Sequence, residues 1–122
     1  MPYWYDQNDD RLFSLRDCLL INRKTAVPVL LDVFHHGCLN NGERVDAALP
    51  SAASTWRYRD EPLMVDYSSQ EPGKLKGSHA QHIDLGDFRR FLGEARNLDF
   101  DLMLEIKDKE RSAMKAVATA KS

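Results

Sequence analysis

Acidic side chains and histidines stand where several apolar runs of the sequence end. Asp32 closes the most apolar, β-rich run, and His35 follows it three residues later. Asp66 lies near the end of a second such run, and Glu105 lies near the end of a third. Mixtures of carboxylate and imidazole ligands suit Mn, Fe or Zn, and clustered carboxylates suit phosphodiester hydrolysis. These residue types predict a divalent-metal site if the fold brings them together.

Each of these residues also has a simpler role when it is taken singly. Adjacent histidines such as His35 and His36 are usually solvated, and Glu105 can pair with a nearby lysine such as Lys107. Asp32 is the strongest candidate, because an ionised carboxylate that closes an apolar strand is costly to bury without a partner or a metal. The shared position at strand ends is what favours a functional site.

Two further segments carry potential ligands. His79 and His82 flank Ala80-Gln81 in a predicted loop, where a single histidine is typically a surface residue. Asn8-Asp9-Asp10 is, by itself, typical of a turn before a helix.

Aromatic and basic residues alternate in Thr55–Arg59. Such a pattern can stack bases and hold phosphates, which makes Trp56, Arg57 and Tyr58 candidate DNA-binding residues. The alternative is a tryptophan that packs a loop onto the fold beside solvated arginines, and the sequence leaves both roles open.

The predicted elements alternate between strands and helices. Strands are predicted at Pro2–Tyr5, Val27–Val33, Leu63–Tyr67 and Asp99–Ile106, and helices at Ser14–Lys24, from Asp84 or Leu85, and at Lys109–Thr119. Phe34–Asp60 is predicted as a loop with a short helix at Arg44–Leu49, and Ser68–Gly77 as a second loop. This order predicts an α/β fold with a parallel sheet, in which chemistry is placed at the carboxyl ends of the strands.

Composition limits the class of protein. The chain has 122 residues, 43% of them hydrophobic, which is typical of a globular protein. Residues 1–122 are therefore expected to form a single globular segment, with one domain at most. A complete (β/α)8 barrel needs about 250 residues. The net charge of -2 argues against a protein that coats nucleic acid, and two separated cysteines exclude a disulfide framework. No membrane span or leader is predicted, and we expect a cytoplasmic location.

An ordered set of motifs resembles the UV damage endonuclease family. The motifs cover nearly the whole chain and are Gln7–Asp10, Asp32–His36, Thr55-Trp56, Ser68-Ser69, His79-Ala80 and Met103–Glu110. The last is the most specific, since it resembles the family's Met-Leu-Glu-Ala-Lys-x-Lys-Glu.

The resemblance implies a metal-dependent DNA-repair endonuclease. It implies a (β/α)8 TIM-type barrel, of which this chain is roughly the C-terminal half, with parallel strands and outer helices. By resemblance the substrate is damaged double-stranded DNA, cut on the 5′ side of ultraviolet photoproducts, and the cofactor is Mn, with Zn or Mg as alternatives. The residues that match the family's metal ligands are Asp32, His35, His79 and Glu105.

The chain also departs from the family's pattern. Gln7 stands in place of a ligand glutamate, and Met64 stands where the family has a lysine that is modified to a metal-bridging carbamate. Asp66, two residues later, remains a candidate ligand. Lys107 would lie beside the site within reach of phosphate, so it is taken together with Gln7 as a candidate catalytic residue.

Three functions stay open from the sequence: a nuclease, an inactive fragment that binds metal or a partner only, and a metal-dependent sugar isomerase or epimerase of similar barrel type. The segment around Glu105 favours the nuclease, whereas Gln7 and Met64 favour the inactive fragment. Half a barrel leaves two unpaired strand edges, so we expect self-association or a separate N-terminal half as partner.

Overall fold

Four parallel strands form one sheet in the part of the chain that the structure describes. The computed structural model describes residues 5–57, 63–75, 78, 80, 83–96 and 98–105. The elements are β1 (Asp6–Gln7), α1 (Leu15–Thr25), β2 (Val29–Asp32), α2 (Val33–Cys38), α3 (Val45–Ser54), β3 (Leu63–Tyr67), α4 (Leu85–Ala95) and β4 (Phe100–Leu104). The strands pair in chain order β1-β2-β3-β4, each parallel to the next. The predicted α/β fold with a parallel sheet is confirmed.

The two faces of the sheet differ in character. Side chains alternate between faces along a strand, and paired residues of parallel strands point to the same side. One face carries Val29, Leu31, Val65 and Tyr67, which are buried in a core with the helices. The opposite face carries Asp32 and Asp66 together with Met103, because these positions are linked by the register. The acidic residues therefore lie on the face that turns away from the helix-covered core.

Aromatic rings pack α4 onto the outer face of the sheet. The Tyr67 ring lies edge-on to Phe88, with ring centroids 5.2 Å apart, and contacts Phe91 with centroids 5.1 Å apart. Phe91 in turn meets Phe100 of β4 at 5.8 Å. Such pairs add to the free energy gained from burying large apolar side chains.

Local signals set bounds of α1 and α4. The Ser14 hydroxyl accepts from the Asp17 backbone N–H, and the Asp17 carboxylate accepts from the Ser14 backbone N–H, which together form a capping box. α1 ends at Thr25, and the next residue, Ala26, caps it with a left-handed backbone of φ 62°. At α4, the Asp84 side chain accepts from the backbone N–H of Asp87.

Two predictions for the region after β2 are wrong. The segment that begins at residue 34 was predicted as a loop, but α2 follows β2 directly, because the Asp32 side chain accepts from the His35 backbone N–H and caps the helix. The short helix predicted at Arg44–Leu49 continues through Pro50 to Ser54. Burial of Leu49 and Ala52 offsets the hydrogen bond that Pro50 cannot make.

The outer elements differ from prediction or lie outside the described residues. Among the described residues the first strand is Asp6–Gln7, and Tyr5 precedes it. The rest of the strand predicted at Pro2–Tyr5 lies outside the described residues. The helix predicted at Lys109–Thr119 falls outside the described residues. None of the helices in the described part of the chain has the length and apolarity needed to cross a membrane. The cytoplasmic location stays a prediction.

Candidate metal centre

Three carboxylates from neighbouring strand ends converge on the inner face of the sheet, which is the face that turns away from the helix-covered core. Asp32 ends β2, Asp66 pairs with it in register on β3, and Glu105 follows β4. Each offers one oxygen atom, and these atoms lie within 4.8 Å of one another. The Glu105 backbone N–H donates to the Tyr67 carbonyl at 2.9 Å, which extends the β3–β4 pairing to the residue that carries the third carboxylate.

Burial makes these charges costly. Asp32 is 2% exposed and Asp66 is 3% exposed, whereas Glu105 is exposed. Burial raises the pKa of the Asp66 carboxyl to about 8, with further upward contributions from the neighbouring Glu105 and Asp32 carboxylates. Burial also raises the pKa of Asp32, which the hydrogen bond from the His35 backbone N–H partly opposes. Both shifts reflect negative charge that the surrounding protein does not fully compensate.

In the part of the chain that the structure describes, one buried oxygen of this cluster has no donor. Asp66 Oδ1 is buried and has no hydrogen-bond partner among the described residues. Buried polar atoms are nearly always satisfied, so an orphaned carboxylate oxygen calls for a positively charged partner. A set of carboxylate oxygens is what hard divalent cations such as Mn²⁺ and Mg²⁺ prefer. The residues present therefore fit a divalent cation.

Asn8 ties the loop after β1 to β2 and orients the His35 ring. Its side chain donates to the Asp32 carbonyl at 3.0 Å and accepts from the Asp32 backbone N–H at 2.8 Å. The Asn8 carbonyl lies 2.9 Å from His35 Nδ1, which also lies 3.2 Å from Asp32 Oδ2. A carbonyl only accepts, so this contact places the proton on Nδ1 and leaves the lone pair on Nε2, as in many metal-binding histidines.

Gln7 lies directly between two of the carboxylates. Its Nε2 atom donates to Asp32 Oδ2 at 3.1 Å and to Asp66 Oδ2 at 3.0 Å. Sequence reasoning placed Gln7 at the site, but not this double contact. The structural role of Asn8 was missed altogether, because a polar residue before a helix gives no signal that it pairs with a strand 24 residues later.

The structure brings Gln7, Asp32, Asp66 and Glu105 together and places His35 against Asp32. His79 and Lys107 lie outside the described residues, so their roles stay predictions. Of the candidate DNA-binding residues, Tyr58 also lies outside the described residues.

Trp56 is buried at the opposite end of β2 from Asp32. It is 4% exposed, and its indole N–H donates to the carbonyl of Val29, the first residue of β2. This favours packing over base stacking, of the two roles that the sequence left open. Arg57 is exposed, and its role in DNA binding stays a prediction.

A separate cavity of about 570 Å³ lies between α2 and α4. The residues at its lining include Cys38, Ser68 and Ser69, and none of the three clustered carboxylates. Tyr67 and Asp87 also line this cavity and are joined by a hydrogen bond from the phenol to the carboxylate. The cavity and the carboxylate cluster are therefore two different features.

A parallel sheet with helices on one face and carboxylates converging from its carboxyl ends defines a barrel-type α/β protein with a candidate metal centre. A family model described as UV-endonuclease UvdE matches residues 5–121. The chain belongs to this family.

Individual relatives agree with the family match. The UV DNA damage endonuclease of Clostridium perfringens is 36% identical over 117 residues, which are 94% of this chain and 28% of that protein. A putative UV-damage endonuclease of Acanthamoeba polyphaga mimivirus is 30% identical and covers 89% of this chain and 34% of that protein. The crystal structure of SacUVDE matches with a TM-score of 0.85 and 50% identity, and covers 94% of this chain and 38% of that one. The chain spans about a third of the length of the curated relatives that it matches.

Proposed function

We propose that this chain supplies the C-terminal metal-binding part of a DNA endonuclease that cuts the backbone on the 5′ side of ultraviolet photoproducts. The observation that carries the proposal is the convergence of Asp32, Asp66 and Glu105 in a chain of the UvdE family. The family match supports a nuclease over the sugar isomerase that the sequence left open.

Asp32, Asp66 and Glu105 would hold a divalent cation, for which we propose Mn²⁺, with His35 as an additional ligand. A cation bound there would supply positive charge to a phosphodiester and lower the pKa of a water molecule. The buried Asp32 and Asp66 fix the floor of the site, and the exposed Glu105 faces solvent, from which DNA must approach. Lys107 and His79 would complete the site from beyond the described residues.

Two residues shape the site without a cation. The Asn8 carbonyl sets the tautomer of His35, so the ring presents Nε2 rather than Nδ1. The hydrogen bond from the His35 backbone N–H holds Asp32 Oδ1, which leaves Oδ2 toward the cluster. Arg57 and Tyr58 are proposed to contact the phosphates of damaged double-stranded DNA outside the cluster.

The first test is a calorimetric titration of the chelator-treated chain with Mn²⁺. We expect binding in the natural sequence and its loss in a His35→Ala and Glu105→Ala double variant. Asp101→Asn is the matched control, because Asp101 is an exposed carboxylate on β4, the strand that Glu105 follows. If the double variant binds Mn²⁺ as the natural sequence does, the cluster is not the metal site.

The second test is the nicking of ultraviolet-irradiated plasmid with Mn²⁺ present. The proposal expects nicks that depend on irradiation and disappear in the double variant. Metal binding without nicking would support the alternative function, a part that holds metal but does not cut by itself. That alternative is favoured by the amide of Gln7 inside the cluster.

We also propose that the edges of the sheet at β1 and β4 are covered by further strands, from a second copy or from a separate N-terminal half. In the described part of the sheet, each of these strands has one strand neighbour. An unpaired strand edge with an apolar face is an association site.

A further inference from the structure

The amide of Gln7 occupies the gap between the two buried carboxylates. An amide nitrogen carries two hydrogen atoms, and here one points to Asp32 Oδ2 and the other to Asp66 Oδ2, at 3.1 and 3.0 Å. Both acceptors belong to the cluster of converging carboxylates. The opposite orientation of the amide would place its oxygen against two carboxylate oxygens, which is repulsive.

We propose that Gln7 is an internal counter-group, whose NH2 stands in for a cation between Asp32 and Asp66 and must be displaced when a divalent cation binds. The inference rests on the proposed metal site and extends it, because it states which group regulates the binding of metal there. Gln7 stabilises the metal-free protein and weakens its affinity for metal, both through the same two hydrogen bonds.

The geometry supports competition rather than ligation. A ligand presents a lone pair to the metal, but the Gln7 nitrogen presents hydrogen atoms to the oxygens that the metal would use. Asp66 Oδ1 remains without a donor among the described residues, so within this part of the chain the amide satisfies the cluster only in part. Binding of a cation to the cluster can therefore still be favourable, although the two hydrogen bonds of the Gln7 amide are lost.

Gln7→Met separates competition from ligation, because methionine keeps the length of the side chain and removes both the donor and the amide oxygen. We expect a lower melting temperature in chelator and a Kd for Mn²⁺ that is tighter by at least about ten-fold, since each of the two charge-assisted hydrogen bonds that Gln7→Met removes is of that size. A weaker Kd would identify Gln7 as a ligand, and an unchanged Kd would mean that the amide does not compete. Either result overturns the proposal.

Gln70→Met is the matched control. Gln70 is an exposed glutamine in the loop after β3, and its side chain donates to loop carbonyls rather than to the cluster. The same substitution there should leave both the Kd and the melting temperature in chelator unchanged. If Gln7→Met does not fold, Gln7→Ala takes its place with the same expected directions.

The metal-free measurements separate this proposal from the metal site itself. If no variant binds Mn²⁺, the metal site is wrong, but the counter-group is still tested by melting in chelator. There, Gln7→Met should lower the melting temperature much less in an Asp66→Asn background, because one of the two charged acceptors is already gone. An equal loss in both backgrounds would overturn the counter-group.

Discussion

The Asp66 carboxylate is a candidate metal ligand, but its burial destabilises the metal-free chain. Its side chain is 3% exposed, one of its oxygens has no donor among the described residues, and its nearest carboxylates are Asp32 and Glu105. Asparagine, a neutral residue of the same shape, would remove this unfavourable buried charge in the absence of metal. Sites that are built for a ligand commonly carry such a cost.

We therefore predict that Asp66→Asn stabilises the metal-free chain, and more so at high pH. The folded-state pKa is raised from its ordinary 3.8, so the unfolded state loses its proton first as the pH rises. The cost is absent below the ordinary pKa, grows as the pH rises, and is complete above the folded pKa. Melting in chelator at about pH 5 and about pH 8.5 should show a larger gain at the higher pH. An equal gain at both would contradict the shift.

The residue types at the site were predictable, but their contacts were not. Asp32 and Glu105 could be found because a charged residue at the end of an apolar run is unusual. The contact of Gln7 with Asp32 and Asp66 joins residues that are 25 and 59 positions apart, and only the register of three strands creates it.

Among the connections between elements, the loop after β1 depends most on one side chain. Asn8 is fully buried and continues the pairing of β1 with β2 through its amide. Asn8→Ala leaves the N–H and the carbonyl of Asp32 without these partners, at a cost of about 1–3 kcal/mol for each buried group. We expect urea unfolding to show a loss in this range in the free energy of unfolding. We also expect a weaker Kd for Mn²⁺, because the loop no longer holds the backbone carbonyl of residue 8 in position against His35.

Asn41→Ala serves as the comparison for that change. Asn41 is exposed in the turn before α3, so its loss should alter neither property. If the two variants unfold at the same urea concentration, Asn8 does not hold the loop to β2.

The capping box of α1 gives a second prediction for an element. Ser14→Ala removes the acceptor for the Asp17 backbone N–H, and we expect a loss of about 1 kcal/mol in the free energy of unfolding. Ser51→Ala is its control, because the Ser51 hydroxyl is exposed and bonds to a carbonyl inside α3. Equal effects of the two substitutions would mean that the cap contributes nothing particular to α1.

Elements with complete local signals were predicted best. The strand Leu63–Tyr67 was predicted with the bounds that the structure shows, and α1 had its capping box. The helix after β2 was missed because its cap is Asp32, which the sequence already assigns to a strand and a metal site. The helix predicted at Arg44–Leu49 continues through Pro50, because tertiary burial of the neighbours of Pro50 overrides the local rule that proline ends a helix.

At the scale of the whole molecule, the described sheet has half of the eight strands that close a barrel. Its inner face carries the carboxylate cluster at one end and Met103, which is 38% exposed. All four strands run in the same direction, so the free edge of β4 can pair in parallel with an edge such as that of β1. The open edges of the described sheet therefore specify that parallel strands close it.

We predict that the isolated chain associates at micromolar concentration, since the two open edges of the described sheet and the exposed Met103 favour pairing. Sedimentation equilibrium should show an average mass that rises with concentration. Met103→Gln should weaken the association, whereas Leu75→Gln, which changes an exposed side chain in a loop, should not. A monomer that unfolds cooperatively at these concentrations would mean that the described sheet is stable with its edges open. The cluster would then have to bind metal without ligands from a second half.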